Sequence, residues 1–264
     1  MIDCHAHLAC SDFDGDRDQV IERARLVGVE RIVVMGEDWQ DDVRVLELCA
    51  RHSGVLSPCV GLHPDRFAED REAPDDLAIE AVAAVARIHR AQLAAIGEVG
   101  LDYWYVKTAE RRARQRACLE FMAELAGQLA LPLNVHSRSA GYHTLDLLIA
   151  CGAQRVLMHA FDGKASYAAR AAEQHGYLFS IPPSVVRSSQ KQKLVRLLPL
   201  EALALESDSP VLGPEPGVRN EPANLFHVVR YIAMLKGVPE DCVREITTAN
   251  AKRLFGCING VRLD

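Results

Sequence analysis

Four histidines and two carboxylates carry the clearest chemical signal in this sequence of 264 residues. His5 and His7 stand two residues apart, so on a strand both imidazoles point to the same face, together with Asp3. Imidazole nitrogens and carboxylate oxygens are ligands for borderline divalent metals. A lone His-x-His pair is equally compatible with a partly buried polar strand end, so the decision rests on the remaining members of the set, which are Glu98, His136, His159 and Asp208.

The elements that must position these residues are short apolar, β-branched runs that alternate with longer amphipathic stretches. This alternation is typical of βα units around a parallel sheet. Eight such runs predict strands, and they are Ile2–His7, Arg31–Met35, Leu56–Leu62, Leu93–Val99, Pro132–His136, Val156–His159, Tyr177–Ile181 and Leu203–Glu206. Between them lie helical stretches such as Glu110–Leu129, whose apolar stripe is predicted to consist of Ala113, Ala117, Phe121, Leu125 and Leu129.

Eight strands are the number that closes a barrel. We therefore predict an α/β fold in which residues 1–264 form a single (β/α)8 TIM-barrel domain. Two further helices, over Ala223–Lys236 and Pro239–Leu254, are expected to cover the outside of the barrel. A doubly wound open sheet is the structural alternative, but neither G-x-G-x-x-G nor G-x-x-x-x-G-K is present to form its phosphate turn.

Each histidine and carboxylate of the set falls at or just after the C-terminal end of a predicted strand. In a barrel these ends meet around one mouth, so we expect a two-metal centre there. Two cations about 3.5–4 Å apart share a bridging hydroxide and stabilise the attacking and leaving oxygens. Glu98 could bridge the cations, and Asp208 could bind one of them and orient or deprotonate the water. Surface or packing roles are expected for histidines in predicted helices, which include His52, His89, His175 and His227.

Several basic groups near the predicted mouth suit phosphate oxygens. His63 follows the third strand, Arg138 stands two residues after His136, and Arg219 lies in a loop beyond the eighth strand. The segment Arg187–Arg196 follows the seventh strand and is a further candidate for phosphate contact. For each arginine, an ion pair with a neighbouring loop is the alternative.

An acidic run near the N-terminus resembles the start of a calcium loop. Aspartates occupy positions 12, 14, 16 and 18, but Arg17 stands where an EF-hand needs glycine and Arg23 where it needs the closing glutamate. The run is therefore predicted to be a solvated acidic loop.

Charge and composition exclude several classes of protein. Acidic residues outnumber basic ones by 36 to 30, so any contact with nucleic acid must be local rather than driven by a broad positive field. No apolar run approaches the roughly 18 residues that a membrane span needs, and no basic leader precedes an apolar run, so cytoplasmic residence without a membrane partner is expected. The eight cysteines form no Cys-x-x-Cys pair and are predicted to be thiols.

Six spaced motifs together resemble the TatD family of metal-dependent hydrolases, from Ile2 to about Phe255. They are Asp3–Leu8, Gly61–Pro64, Gly97–Tyr103, His136–Arg138, His159–Gly163 and Glu206–Pro210. The run Phe179–Pro222 is most similar to the subgroup called TatD DNase domain containing protein three. The sequence departs from the family pattern at Asp162, where serine is expected, and at Ser207, where threonine is commoner.

The resemblance implies a TIM barrel of the amidohydrolase type with a definite set of metal ligands. These ligands are His5, His7, Glu98, His136, His159 and Asp208, the set that the strand ends also indicate. Glu98 would take the bridging place that a carboxylated lysine has in many amidohydrolases. Two divalent cations per chain are expected, and Zn²⁺, Mn²⁺, Fe²⁺ and Mg²⁺ are the candidates.

The resemblance further implies hydrolysis of phosphodiester bonds, because family members are described as deoxyribonucleases, some of which act from the 3′ end of single strands. The expected partner is DNA or another phosphodiester, with no obligate protein partner. A metal-dependent hydrolase of a small phosphate ester, amide or lactone is the second hypothesis. The third is a metal-bound scaffold or nucleic-acid binder without turnover.

Overall fold

Eight short parallel strands form the central sheet in the computed structural model, which describes residues 1–258 and 261–262. Each strand pairs with the next one along the chain, from the first to the eighth. The strands are β1 (Ile2–Ala6), β2 (Arg31–Met35), β3 (Leu56–Val60), β4 (Ala95–Gly100), β5 (Leu133–His136), β6 (Val156–Met158), β7 (Leu178–Ile181) and β8 (Leu203–Leu205). All eight predicted strands are therefore confirmed, with ends that differ by at most two residues.

Backbone hydrogen bonds join the first strand to the chain that follows the last one. The Asp208 amide donates to the His5 carbonyl at 2.9 Å, and the His7 amide donates to the Ser209 carbonyl at 2.8 Å. These bonds draw β1 and the end of β8 together and make the sheet a nearly closed barrel. The predicted (β/α)8 fold is thus confirmed.

Helices fill the connections between the strands and also follow the last strand. Side chains cap several of them, as at α3, where the Asp75 carboxylate accepts from the Ala78 amide at 2.8 Å. The helices are α1 (Arg17–Leu26), α2 (Trp39–Arg51), α3 (Asp76–His89), α4 (Ala109–Leu129), α5 (Gly141–Ala150), α6 (Ala165–His175), α7 (Ser189–Leu197), α8 (Leu225–Lys236) and α9 (Glu240–Phe255). The last two are the extra C-terminal helices that the sequence predicts. A short antiparallel pair, β9 (Cys257–Ile258) and β10 (Val261–Arg262), comes after them.

Two apolar clusters lie on the two faces of the sheet. On β2, Ile32 and Val34 pack with the helices, whereas Val33 and Met35 belong to the cluster inside the barrel. Leu254 and Phe255 at the end of α9 also join the interior cluster. Both faces of each strand are therefore buried, as the near-continuous apolar runs require.

The predicted apolar stripe of α4 is wrong at its first two positions only, because Leu125 is buried and Phe121 and Leu129 pack partly buried against the core. Ala113 and Ala117 are exposed, and the buried positions are Gln115, Cys118, Leu119, Met122, Ala123, Leu125 and Ala126. A strict spacing of four residues drifts around a helix of 3.6 residues per turn, so one end of the stripe leaves the face that packs. The buried positions follow the mixed spacing of three and four residues instead.

Strict alternation along β1 is also wrong. The pairing register shifts between Asp3 and Ala6, so Cys4 packs in the interior cluster while Ala6 packs in the outer one. This shift is a β-bulge, in which one extra residue on β1 changes the direction of the side chains that follow it. Asp3 instead accepts hydrogen bonds from the amides of His5 and Ser207.

The seven cysteines whose side chains the structure describes are all free, as predicted, while the side chain of Cys257 lies outside that description. No helix in the described part of the chain combines the length and the apolar character needed to cross a membrane.

Candidate metal centre

The carboxyl ends of five strands bring the six predicted residues into one cluster. His5 belongs to β1 and His7 follows it, Glu98 lies in β4, and His136 ends β5. His159 and Asp208 come just after β6 and β8. Glu98, with 1% of its surface exposed, is at the centre, and its two carboxylate oxygens face two different groups of donors.

The first group surrounds Oε2 of Glu98. The Nε2 atoms of His5 and His7 lie 3.2 and 3.1 Å from this oxygen and 3.2 Å from each other. Oδ1 of Asp208 completes the group, 3.6 Å from Nε2 of His5 and 3.7 Å from Nε2 of His7. Asp208 adopts a left-handed φ of 51°, a conformation that aspartate tolerates better than most residues.

The second group surrounds the other oxygen of Glu98, Oε1. His136 Nδ1 lies 2.7 Å from it, His159 Nε2 3.0 Å and His63 Nε2 3.2 Å. His136 Nδ1 and His159 Nε2 are 3.2 Å apart. Glu98 therefore joins the two groups through one carboxylate, the arrangement expected of a bridging ligand.

The donor atoms of both groups fit a divalent cation. Ligand atoms around a cation at about 2.1 Å stand about 3.0–3.4 Å from one another, and the distances from His5, His7, His63 and His159 to Glu98 are of this size, whereas His136 is nearer at 2.7 Å. Oε2 of Glu98 is buried and forms no hydrogen bond with any residue that the structure describes. A buried carboxylate oxygen in such a position is costly unless a cation or a proton partners it.

Local backbone geometry turns the Glu98 side chain toward the cluster. The register between β4 and β5 shifts between Ile96 and Val99, so this strand carries an irregularity at Gly97 and Glu98. Gly100 has a φ of 151°, and a Cβ atom there would lie 2.1 Å from the His136 carbonyl oxygen. Glycine is therefore required where β4 approaches the end of β5.

The amide of Asn134, which sequence reasoning missed, orients His5. Asn134 Nδ2 donates to the Cys4 carbonyl at 2.8 Å, so Oδ1 faces His5 and accepts from its Nδ1 at 2.9 Å. Nε2 of His5 is then left with a free lone pair that points at Glu98. Asn134 lies inside β5 and is an ordinary buried residue by sequence, so no local pattern would have identified it.

Two further carboxylates face histidines of the second group, Asp102 within hydrogen-bond distance and Glu206 as a longer ion pair. Asp102 Oδ2 lies 3.1 Å from His136 Nε2, and Glu206 Oε2 lies 3.6 Å from His159 Nδ1. Each contact leaves the opposite ring nitrogen for the cluster. Both residues stand within motifs quoted above, so their closeness to Glu98 and Asp208 along the chain was the signal that could have found them.

The cluster shifts the pKa values of its own groups. Burial alone would raise the pKa of Glu98, but the imidazoles of His63, His159 and His5 outweigh it and hold this pKa well below its usual range. Burial would lower the pKa of His159, yet the carboxylates of Glu98 and Glu206 raise it to about 10. The pKa of Asp208 is raised, chiefly by burial. The carboxylates of the cluster therefore favour a bound cation or protonated imidazoles at the mouth of the barrel.

A cavity of about 760 Å³ opens from the cluster to the solvent. Of the predicted phosphate contacts, His63 and Arg138 line this cavity, as do Arg187 and Lys191 of the segment after β7. His63 is also part of the second donor group, and its Nδ1 lies 2.8 Å from Asp65 Oδ1.

Arg219 lies outside the lining of the cavity. Its Nη1 and Nη2 atoms form a bidentate pair with Asp16 at 2.8 and 2.7 Å, and Nη1 also donates to the Asp12 carbonyl. The hydrogen bond from Arg219 is the main reason that the pKa of Asp16 is lowered to about 2. The four histidines predicted to lie in helices are likewise absent from the candidate metal-binding groups of the described residues; they are His52, His89, His175 and His227.

Lys191 supports the backbone next to His159. Its Nζ donates to the Ala160 carbonyl at 2.6 Å and to the Phe161 carbonyl at 2.8 Å. Ala160 has a left-handed φ of 37°, an uncommon conformation for a residue other than glycine. The buried ammonium therefore holds a strained turn directly beside a member of the second donor group.

Comparisons with known proteins agree with this architecture. A family model described as TatD related DNase matches residues 2–256. The human protein named deoxyribonuclease TATDN3 is 44% identical over 259 residues, which are 97% of this chain and 94% of the human protein. The Bacillus subtilis protein named uncharacterized metal-dependent hydrolase YabD is 35% identical over 261 residues, covering 97% of this chain and 98% of YabD.

A solved structure shares the whole architecture. The crystal structure of YJJV, a TatD homologue from Escherichia coli, matches with a TM-score of 0.87 at 27% identity. The match covers 97% of this chain and 97% of that one. The similarity therefore extends over nearly the whole of both chains.

Proposed function

Since this chain belongs to the family of TatD-related DNases, we propose that it is a metal-dependent hydrolase that cleaves phosphodiester bonds in DNA, acting from the 3′ end of single strands. The observation that carries the proposal is the pair of donor groups that share Glu98 at the mouth of the barrel. In this proposal residues 1–264 act as one barrel domain.

Two divalent cations would occupy the two donor groups. His5, His7, Glu98 and Asp208 would hold one of them, and His136, His159 and Glu98 the other. Bound cations of this kind lower the pKa of coordinated water and neutralise charge on phosphate oxygens. The mixture of imidazole and carboxylate donors is compatible with Zn²⁺, Mn²⁺ or Fe²⁺, and Mg²⁺ is a further candidate.

Asp208 is the group proposed to accept a proton from the attacking water. Its carboxylate stands at the edge of the first donor group, lines the cavity and is 5% exposed, so it faces both the cluster and the substrate space. Burial raises the pKa of Asp208, which makes this carboxylate a stronger proton acceptor than an exposed one. Glu98 holds the two groups at a fixed separation.

Positively charged groups at the rim are proposed to bind the phosphate. The Arg138 guanidinium lines the cavity, and His63, whose pKa is raised well above its usual value by Glu98 and Asp65 despite burial, lies against the second donor group. Arg219 would have to exchange Asp16 for phosphate, because both of its terminal nitrogens already face that carboxylate. Arg219 therefore binds phosphate in this proposal only after its ion pair with Asp16 breaks.

The test is digestion of a 3′- or 5′-labelled single-stranded DNA oligonucleotide by protein loaded with Mg²⁺, Mn²⁺ or Zn²⁺, beside a chelated sample. Asp208→Asn should lower the rate by about 10² to 10⁴ while the metal-free protein still folds, which its thermal unfolding checks. Asp12→Asn is the matched control, because Asp12 lines the same cavity outside both donor groups.

Three outcomes would contradict the proposal in different ways. Full activity of Asp208→Asn would refute the assigned role of that carboxylate. Hydrolysis of a small phosphate ester, amide or lactone without any cleavage of DNA would replace the nuclease with a hydrolase of small molecules. Tight binding of metal and DNA without product would indicate a scaffold.

A further inference from the structure

Two aromatic side chains stand exposed beside the cavity. Trp104 and Tyr105 lie in the loop between β4 and α4, and they are 54% and 49% exposed. Large aromatic side chains dominate cores and interfaces, so two adjacent exposed rings at a proposed active site require an explanation. Tyr105 itself lines the cavity, so the exposed rings are continuous with it.

The rings are fixed in place by a residue that also contacts the metal centre. Oδ1 of Asp102 accepts hydrogen bonds from the amides of Trp104 and Tyr105, both at 2.8 Å. Oδ2 of the same carboxylate lies 3.1 Å from His136 Nε2. One carboxylate therefore sets the position of the rings relative to the second donor group.

Arg138 adds a positive charge to this surface. Its guanidinium carbon lies 5.2 Å from the centroid of the Trp104 ring and 5.0 Å from that of Tyr105. Arg138 lines the cavity and forms no ion pair with a carboxylate in the part of the chain that the structure describes. The guanidinium is therefore available to an anion while it contacts both rings, unlike Arg219, which Asp16 neutralises.

We propose that Trp104, Tyr105 and Arg138 form a stacking surface for the unpaired bases of single-stranded DNA whose phosphate enters the cavity. Exposed aromatic faces beside an unpaired cation are the combination that recognises single strands, because every base has a face that can stack. Paired bases inside a duplex do not offer that face. The inference rests on the proposed function and adds to it the means by which unpaired substrate is selected.

The experiment compares two substrates and three variants of the full chain. One substrate is a single-stranded DNA oligonucleotide, and the other is an oligonucleotide of the same length whose residues next to the cleaved bond are abasic tetrahydrofuran units. Trp104→Leu and Tyr105→Leu retain apolar volume but remove the aromatic face. Trp39→Leu is the matched control, since Trp39 is 44% exposed and lies outside the cavity lining.

Each substitution in the stacking surface should lower kcat/KM on the normal oligonucleotide about 5- to 150-fold, the equivalent of one lost base stack. The same variants should cleave the abasic oligonucleotide within about twofold of the wild-type rate, and Trp39→Leu should match the wild type on both substrates. Equal cleavage of the two substrates by the wild type, or unchanged kcat/KM of both variants on normal DNA, would overturn the stacking surface.

A binding measurement separates this inference from the proposed function. The chain has two tryptophans, so Trp39→Phe leaves Trp104 as the only one. Stacking should quench its fluorescence when oligo(dT) is added to the Asp208→Asn form, even though that form is slow. Quenching without cleavage by any metal-loaded protein would refute the proposed nuclease activity and support the stacking surface. Cleavage without quenching would support the nuclease activity and refute the stacking surface.

Discussion

Asn134→Leu tests whether the metal centre depends on the orientation of His5. Asn134 is fully buried, and it links the Cys4 carbonyl to Nδ1 of His5 through its two amide atoms. Leucine has a similar volume but neither a donor nor an acceptor. The His5 ring then loses the contact that keeps its Nε2 unprotonated and directed at Glu98.

The expected magnitude follows from these contacts. Loss of a residue that orients a metal ligand costs about 10- to 100-fold in metal affinity, which corresponds to about 1.4–2.7 kcal/mol. The unfolding free energy of the metal-free protein should also fall. The two buried groups left without partners cost about 1–3 kcal/mol each. Burial of the leucine side chain offsets about 2 kcal/mol of this loss in unfolding free energy.

The assay is a Zn²⁺ titration in competition with a chelating dye at pH 7, together with urea unfolding in the presence of chelator. Thr247→Val is the control for general destabilisation, because its hydroxyl donates to the Val243 carbonyl at 2.7 Å in α9, far along the chain from the cluster. Two Zn²⁺ per chain are expected for wild type and control, and weakened binding only for Asn134→Leu. An unchanged affinity with a lowered unfolding free energy would show that Asn134 supports the strand and not the metal centre.

Two predictions concern stability. Hydrogen bonds from Thr108 and Lys107 lower the pKa of Glu69 from 4.5 to about 2, so its contribution is complete above pH 4.5 and is lost as the pH falls through 2. The melting temperature of Glu69→Gln should therefore lie below that of the wild type at pH 7 and converge with it near pH 2; a constant difference across this range would contradict the assignment. Lys191→Met should lower the unfolding free energy measured in urea by about 1–3 kcal/mol, because the carbonyls of Ala160 and Phe161 lose their donor. Lys193 is exposed on the same helix, so the control Lys193→Met should stay within about 0.5 kcal/mol of the wild type. Equal effects of the two substitutions would refute the role of Lys191 in supporting the turn at Ala160.

The strands could be predicted because their apolar runs are short, β-branched and bounded by polar turns, as at Arg31–Met35, where prediction and structure agree at both ends. Side-chain direction was harder to predict. The bulge between Asp3 and Ala6 depends on pairing with β2, and a sequence pattern of period two cannot anticipate it. The first two positions of the α4 stripe were wrong because alanine, as at Ala113, is compatible with either a buried or an exposed helix face.

The predicted cluster assembled because a barrel brings strand ends together whatever their separation along the chain. The sequence could not predict which side chains contact the cluster or its arginines when those side chains belong to common residue types with no motif around them. Asn134 acts through an amide on a neighbouring strand, and Arg219 is held by Asp16 from the loop predicted to be solvated and acidic. Such pairs are set by tertiary contacts between segments that share no local pattern.

Asp162, one of the two positions at which the sequence departs from the family pattern, joins two loops at the mouth of the barrel. Asp162 accepts a hydrogen bond from the Ser139 amide at 2.7 Å, and Ser139, directly after Arg138, has a left-handed φ of 55°. The Asp162 carbonyl also accepts from the Gly141 amide at 3.2 Å. Because these bonds tie the loop after β6 to the loop that carries Arg138, we expect a change at position 162 to act on the stacking surface through that loop. The barrel thus places the donors around Glu98 at its strand ends, and the residues of the proposed stacking surface in loops that these bonds connect.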